Sequence, residues 1–122
     1  MIGYVTLGTN DLPRAVAFYD KLMSELGAAR MIEMETAIVW GIDGVWPGLS
    51  ITKPFNKEPA TVGNGVMVGL QAKDPEQVQR IYDIALANGG TNEGPPGPRV
   101  EGFYAAYFRD PDGNKLNAFV MG

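Results

Sequence analysis

The side chains with chemistry to offer are few, because the 122 residues contain no His and no Cys. Imidazole is thereby excluded as general base and as transition-metal ligand. Thiolate nucleophiles, Fe–S clusters, disulfides and Cys-type zinc sites go with it. Proton transfer would fall to Tyr4 as acid or hydrogen-bond donor, to Asn117 as donor, or to a carboxylate such as Glu33 or Glu35. A Glu in an apolar pocket can be tuned toward neutral pH, but no spacing among these residues marks a catalytic pair. Asp110-Pro111-Asp112-Gly113-Asn114 has the oxygen density of a calcium loop, yet the sixth and twelfth positions from Asp110 are Lys115 and Met121 in place of Gly and Glu. The segment reads as a turn between two strands.

Binding offers a second set. Lys53, Lys57, Arg99 and Arg109 could pair with the carboxylate of an anionic ligand or could be ordinary solvated surface. Trp40, Trp46, Phe55, Phe103, Tyr104, Tyr107 and Phe119 are candidates to line an apolar pocket, against core or dimer interface as the alternative. The Gly/Pro-rich run 94–99 and the segment 54–64 are candidate flaps or plain connectors. With 10 Lys+Arg against 14 Asp+Glu, net −4, and no basic stripe, nucleic acid is not an expected partner. No apolar run approaches the ~20 residues that span a bilayer, so no membrane association is expected and the protein reads as soluble and cytoplasmic.

These residues must be positioned by elements that the patterning predicts. Residues 2–8 alternate as a strand. Asn10-Asp11-Leu12-Pro13 then caps a helix with the stripe Leu12, Val16, Tyr19, Met23 and Leu26, stopping at Gly27. Short strands follow near 30–35, 37–42 and 48–53. The order then recurs: a strand carrying Val66, Val68 and Leu70, an Asp74-Pro75 cap, and a helix stripe of Val78, Ile81, Tyr82, Ala85 and Leu86 ending at Gly89-Gly90. A weak run near 91–93, strands near 103–109 and 114–121, and the 110–113 turn complete it.

One offset of 63 residues superimposes Val5/Val68, Leu7/Leu70, Asp11/Asp74, Tyr19/Tyr82, Asp20/Asp83 and Gly27/Gly90. The reading is an α+β chain of one domain, 1–122, built from two βαβββ modules at approximately 1–60 and 64–122. One helix for four strands covers one sheet face and leaves the other open. Alternation puts Val5, Leu7, Leu49, Ile51, Val66, Val68, Leu70, Leu116, Ala118 and Val120 toward the helices. It leaves Tyr4, Thr6, Ser50, Thr52, Met67, Gly69, Asn117 and Phe119 on the open face, with Tyr104 or Tyr107 depending on register. Together with Trp40 these are the candidate pocket residues.

The run Gly3-Tyr4-Val5-Thr6-Leu7-Gly8-Thr9-Asn10-Asp11 with Ala17-Phe18-Tyr19, and the more specific Gly102-Phe103-Tyr104-Ala105-Ala106-Tyr107-Phe108-Arg109-Asp110-Pro111-Asp112-Gly113-Asn114-Lys115-Leu116, resemble the vicinal oxygen chelate superfamily of glyoxalases, bleomycin resistance proteins and extradiol dioxygenases. The resemblance covers essentially the whole chain. It implies two modules whose mixed sheets curve into a cup with one helix per module outside, completed as a homodimer. Catalytic members hold a divalent metal there through His on the first strand of each module and Glu on a last strand. Here the corresponding residues are Tyr4 and Met67 for the His, and Asn117 and Ser50 for the carboxylates.

Phenol, thioether, amide and hydroxyl make a poor divalent site, so no metal and no cofactor are expected. Tyr4 and Met67 could instead fill the space the metal would take. Three functions follow from the resemblance. One is metal-independent binding of a small organic molecule. Another is a glyoxalase or lactoylglutathione lyase-type enzyme acting on a thiol adduct. The third is a metal-free isomerase or lyase using Tyr4, Asn117 or a Glu on a small carbonyl substrate.

Overall fold

A computed structural model describes all 122 residues, which form two compact units, Met1–Val62 and Gly63–Gly122. The first runs β1 (Tyr4–Gly8), α1 (Leu12–Glu25), β2 (Ala29–Glu33), β3 (Ala37–Ile42) and β4 (Val45–Thr52). The second runs β5 (Val68–Gln71), α2 (Pro75–Ala87), β6 (Thr91–Pro98), β7 (Phe103–Arg109) and β8 (Lys115–Met121). The sheet orders are β1-β4-β3-β2 and β5-β8-β7-β6, with the first strand of each unit parallel to its last and the other pairs antiparallel. Each unit is thus an open, mixed four-stranded sheet with one helix on one face, the α+β arrangement the repeat implies.

Both helices begin as the patterning predicts. Asp11 Oδ1 accepts from the Arg14 amide at 3.1 Å and Asp74 Oδ1 from the Gln77 amide at 2.8 Å, each with proline in the first turn, where a missing N–H costs nothing. The buried face of α1 is wider than the expected stripe: Ala15, Phe18 and Leu22 are buried with Leu12, Tyr19 and Met23, while Val16 and Leu26 lie at its margin. In α2, Val78, Ile81, Tyr82 and Ala85 are buried as expected and Leu86 is exposed.

The ends of the helices differ in a way the repeated glycines conceal. In the first unit the left-handed residue after the helix is Gly27, φ +78°. In the second it is Gly89, φ +98°, one residue ahead of the sequence match. Gly90 serves close approach instead: its amide donates to Ala85 O at 2.8 Å, and a Cβ there would lie 2.6 Å from Arg109 O and 2.7 Å from Ala85 O.

Three strand boundaries correct the reading from sequence. β1 begins at Tyr4, not residue 2. β5 begins at Val68, so Val66 and Met67 belong to the preceding connector and Val66 is exposed. The Gly/Pro-rich run expected as a loop is strand β6, and it tolerates Pro95, Pro96 and Pro98 because it is an outermost strand whose register with β7 shifts twice. The segment after β4 is irregular as expected, and it is pinned: Asn10 Oδ1 accepts from the Ala60 amide at 2.7 Å and Asn10 Nδ2 donates to Ala60 O at 3.1 Å.

In the first unit Trp40 is buried between sheet and helix, 5.6 Å from the Tyr19 ring, and its Nε1 donates to Asp20 Oδ1 at 2.9 Å. Asp20 also accepts from Arg30 Nε at 3.0 Å and Nη2 at 2.6 Å. The Arg30 hydrogen bonds hold the Asp20 carboxyl below its ordinary value of 3.8, with the indole helping and desolvation opposing.

Two outcomes are expected. Gly90→Ala destabilises by about 1–3 kcal/mol in urea unfolding, whereas Gly3→Ala, whose Cβ meets nothing within 4 Å, changes little. Because the folded-state pKa of Asp20 is depressed, its stabilisation is complete above 3.8 and fades as pH falls through the lowered value. Asp20→Asn therefore lowers stability at neutral pH and flattens the loss between about pH 5 and about pH 2, read from parallel urea titrations.

Candidate functional site

Residues directly opposite in paired strands share a sheet face, so register assigns each candidate to a face. In the first unit Thr6 pairs with Ser50, and Ser50 with Val39, while Thr52 pairs with Ala37. This set lies away from α1. Trp40, an aromatic pocket candidate with core as its alternative, pairs with Leu49 and lies in the core on the α1 side. The alternation of β3 could not decide this, because all of Ala37 to Gly41 are buried. Tyr4 stands at the start of the outer strand β1, 64% exposed, its ring 5.9 Å from that of Trp46.

In the second unit Gly69 pairs with Asn117, Asn117 with Tyr107, and Phe119 with Ala105. A Cβ on Gly69 would lie 2.9 Å from Asn117 Oδ1 and 3.3 Å from Phe119 Cε1, so these two side chains cover the glycine. Phe119 stacks on Phe103 at 5.6 Å. The register also separates the two tyrosines that the sequence left open: Tyr107 shares the open face with Asn117, whereas Tyr104 pairs with Val120 on the α2 side. Tyr104 and Val120 line a hollow of about 380 Å3 with Pro75 and Met121.

Ser50 and Asn117 are equivalent positions. Thr6 and Gly69 differ by the repeat offset and pair with Ser50 and Asn117 respectively. Both are buried, at 5% and 2% exposure. Met67 is 44% exposed ahead of β5, and the Tyr4 ring lies against that of Trp46. The donor set Tyr4, Ser50, Met67 and Asn117 has no carboxylate and no imidazole, and no group of three or more Asp or Glu side chains in the chain could hold an ion. These residues do not fit a divalent metal. Glu33, a candidate base, is exposed and accepts from Arg30 Nη1 at 2.9 Å, and Glu35 is exposed in the β2–β3 turn.

A groove of about 730 Å3 opens at the end of β4, lined by Thr36, Thr52, Lys53, Phe55 and Lys57, within the ~300–1,000 Å3 typical of ligand sites. Two of the candidate cations, Lys53 and Lys57, therefore share one concavity. Thr52 Oγ1 lies 2.9 Å from the Lys53 carbonyl oxygen and 3.2 Å from that of Thr36, and its one O–H donates to either. Phe55, on the candidate flap, is fully exposed. The Asn10–Ala60 hydrogen bonds fix the far end of this wall.

Of the other cations, Arg109 pairs with Glu93 at 3.1 Å and donates to Gly113 O at 2.8 Å. Arg99 lies with Cζ 5.3 Å from the Tyr107 centroid, and Lys115 with Nζ 5.6 Å from the same centroid. The sequence reading missed Lys115, although the parity of β8 places it with Asn117 and Phe119. The β7–β8 turn that sets this register is built on buried Asp110. Its Oδ1 accepts from the amides of Asp112 and Asn114, both at 2.9 Å, and its Oδ2 from Asn114 Nδ2 at 2.9 Å. Its carboxylate serves the turn.

The family model for the glyoxalase/bleomycin resistance protein/dioxygenase superfamily matches residues 1–118. The chain belongs to this superfamily. A crystal structure of a glyoxalase/bleomycin resistance protein from Albidiferax ferrireducens T118 is 40% identical, with a TM-score of 0.90 over 98% of this chain and 97% of that one. A lactoylglutathione lyase from Agrobacterium tumefaciens is 22% identical, TM-score 0.71, covering 98% and 92%. The fosfomycin resistance protein FosX from Mesorhizobium loti is 16% identical, TM-score 0.73, covering 100% and 92%. At those last two identities the likeness is one of fold. No curated protein matches. In this glyoxalase-superfamily chain the turn that sets the open-face register should be sensitive. Asp110→Ala, which strands two amides, is expected to cost about 1–3 kcal/mol in thermal or urea unfolding.

Proposed function

We propose that this glyoxalase-superfamily chain is a metal-independent binder of a small organic molecule, held on the open sheet faces and working as a homodimer. One observation carries the reading: the four positions where the superfamily resemblance expects metal donors hold Tyr4, Ser50, Met67 and Asn117, none of them charged. A glyoxalase-type isomerisation needs a Lewis acid to stabilise an enediolate and a carboxylate to move the proton, and these four side chains provide neither. Binding needs less: an apolar surface with a few placed polar groups, such as Phe103 and Phe119 beside Asn117. The exposed Tyr4–Trp46 pair and exposed Val45 give a second copy of the chain an apolar surface to cover.

The test is thermal unfolding with and without additives. A ligand that binds only the native state at about 100 times its dissociation constant stabilises by about 2.7 kcal/mol, an upward shift of several degrees for a chain of this size. Such shifts are expected from members of a library of metabolites and antibiotics, with EDTA, zinc, nickel and manganese leaving Tm unchanged. A marked rise with any divalent ion, or nickel- or zinc-dependent isomerisation of a glutathione hemithioacetal, would overturn the reading. Sedimentation at micromolar concentration tests the dimer.

A further inference from the structure

The geometry points to an oxyanion subsite on the open face of the second unit, formed by Arg99 and Lys115 about the ring of Tyr107, for a carboxylate or phosphate group on the bound molecule. It rests on the reading that the open face is the binding surface and adds the chemical class of the ligand's polar end. The protein carries net −4, yet these two cations converge on one phenol ring, at 5.3 and 5.6 Å from its centroid. Neither forms an ion pair, in contrast to Arg109, which Glu93 neutralises. With no carboxylate in ion-pair distance, each keeps its charge for an oxyanion on this face.

Arg99 is placed by the local chain. Its Nη1 donates to Gly97 O at 2.9 Å and its Nη2 to Pro95 O at 2.7 Å, which leaves three of its five N–H groups free. The side chain crosses β6 where β6 is bare: a Cβ on Gly94 would lie 3.1 Å from Arg99 Nη2 and 3.3 Å from Tyr107 Cδ2, and one on Gly97 3.3 Å from Arg99 Nη1. The two glycines thus open the path that brings the guanidinium onto the ring. Lys115 arrives from the other side of the sequence, two residues before Asn117, whose amide lies across from Tyr107 on the same face. A planar fork with unused donors, a mobile point charge and an amide together suit a carboxylate or phosphate oxygen set.

The test follows the Tyr107 ring and Asn117 side-chain amide resonances during titration with sodium benzoate, with inorganic phosphate, and with neutral benzamide. Saturable shifts with benzoate or phosphate are expected, weaker at high salt and weakened about tenfold by either Arg99→Gln or Lys115→Gln. Lys21→Gln, an exposed lysine on α1, should change nothing. Benzoate against phosphate then tells which oxyanion the subsite takes. The variants' circular dichroism and their unchanged response to benzamide guard against misfolding as the cause. If benzamide binds this face as well as benzoate does, or if both variants bind the anions like the parent, the oxyanion subsite is overturned while the binding face stands. If no probe shifts these resonances, both readings fall.

Discussion

A four-stranded sheet has two faces, and a module of βαβββ order has one helix to cover them. The helix-side core is formed by Phe18, Leu22, Trp40 and Ile51 in the first unit and by Val78, Ile81, Phe108 and Leu116 in the second. Everything of functional interest follows from the face left over. Alternation along each strand divides its residues between a face that must be apolar and a face that need not be, and it is the second that collects Thr6, Ser50, Asn117, Tyr107 and Lys115. A side chain's face, not its distance along the chain, decides whether it can meet a ligand.

Much of this was legible in the residues. The Asp-Pro and Asp-Leu-Pro caps and the 63-residue offset lead to the helices and to the repeat, because capping chemistry is local and does not depend on what packs where. Face assignment was legible only where one face is apolar and the other polar, as in β1 and β8. It was silent on Trp40, since Ala37 to Gly41 of β3 are all buried and present no alternation. It left Tyr104 and Tyr107 undecided because that choice depends on the β7–β8 register, which the buried Asp110 turn fixes through contacts four residues long.

The Gly/Pro run around 94–98 shows why composition alone misleads. Proline and glycine usually signal a loop, yet on an outermost strand proline's missing donor faces no partner, and glycine is wanted where a neighbouring arginine must cross. Likewise Gly27 and Gly90, identical under the repeat, do different work: one turns the chain left-handed, and the other lets two carbonyls come close. Sequence identity between repeats preserves the frame more faithfully than it preserves the job of each residue.

Strand β6 carries a consequence for how the protein behaves in a crowded solution. The rim of an open sheet invites another chain to zip onto it, since its unpaired amides and carbonyls are a ready template. Here three prolines withhold amides, and Arg99 occupies the carbonyls of Pro95 and Gly97. The rim offers few partners to a foreign strand. The arginine that lies over Tyr107 therefore also guards the sheet against end-on growth into aggregates, so its replacement should be felt in solubility as well as in recognition.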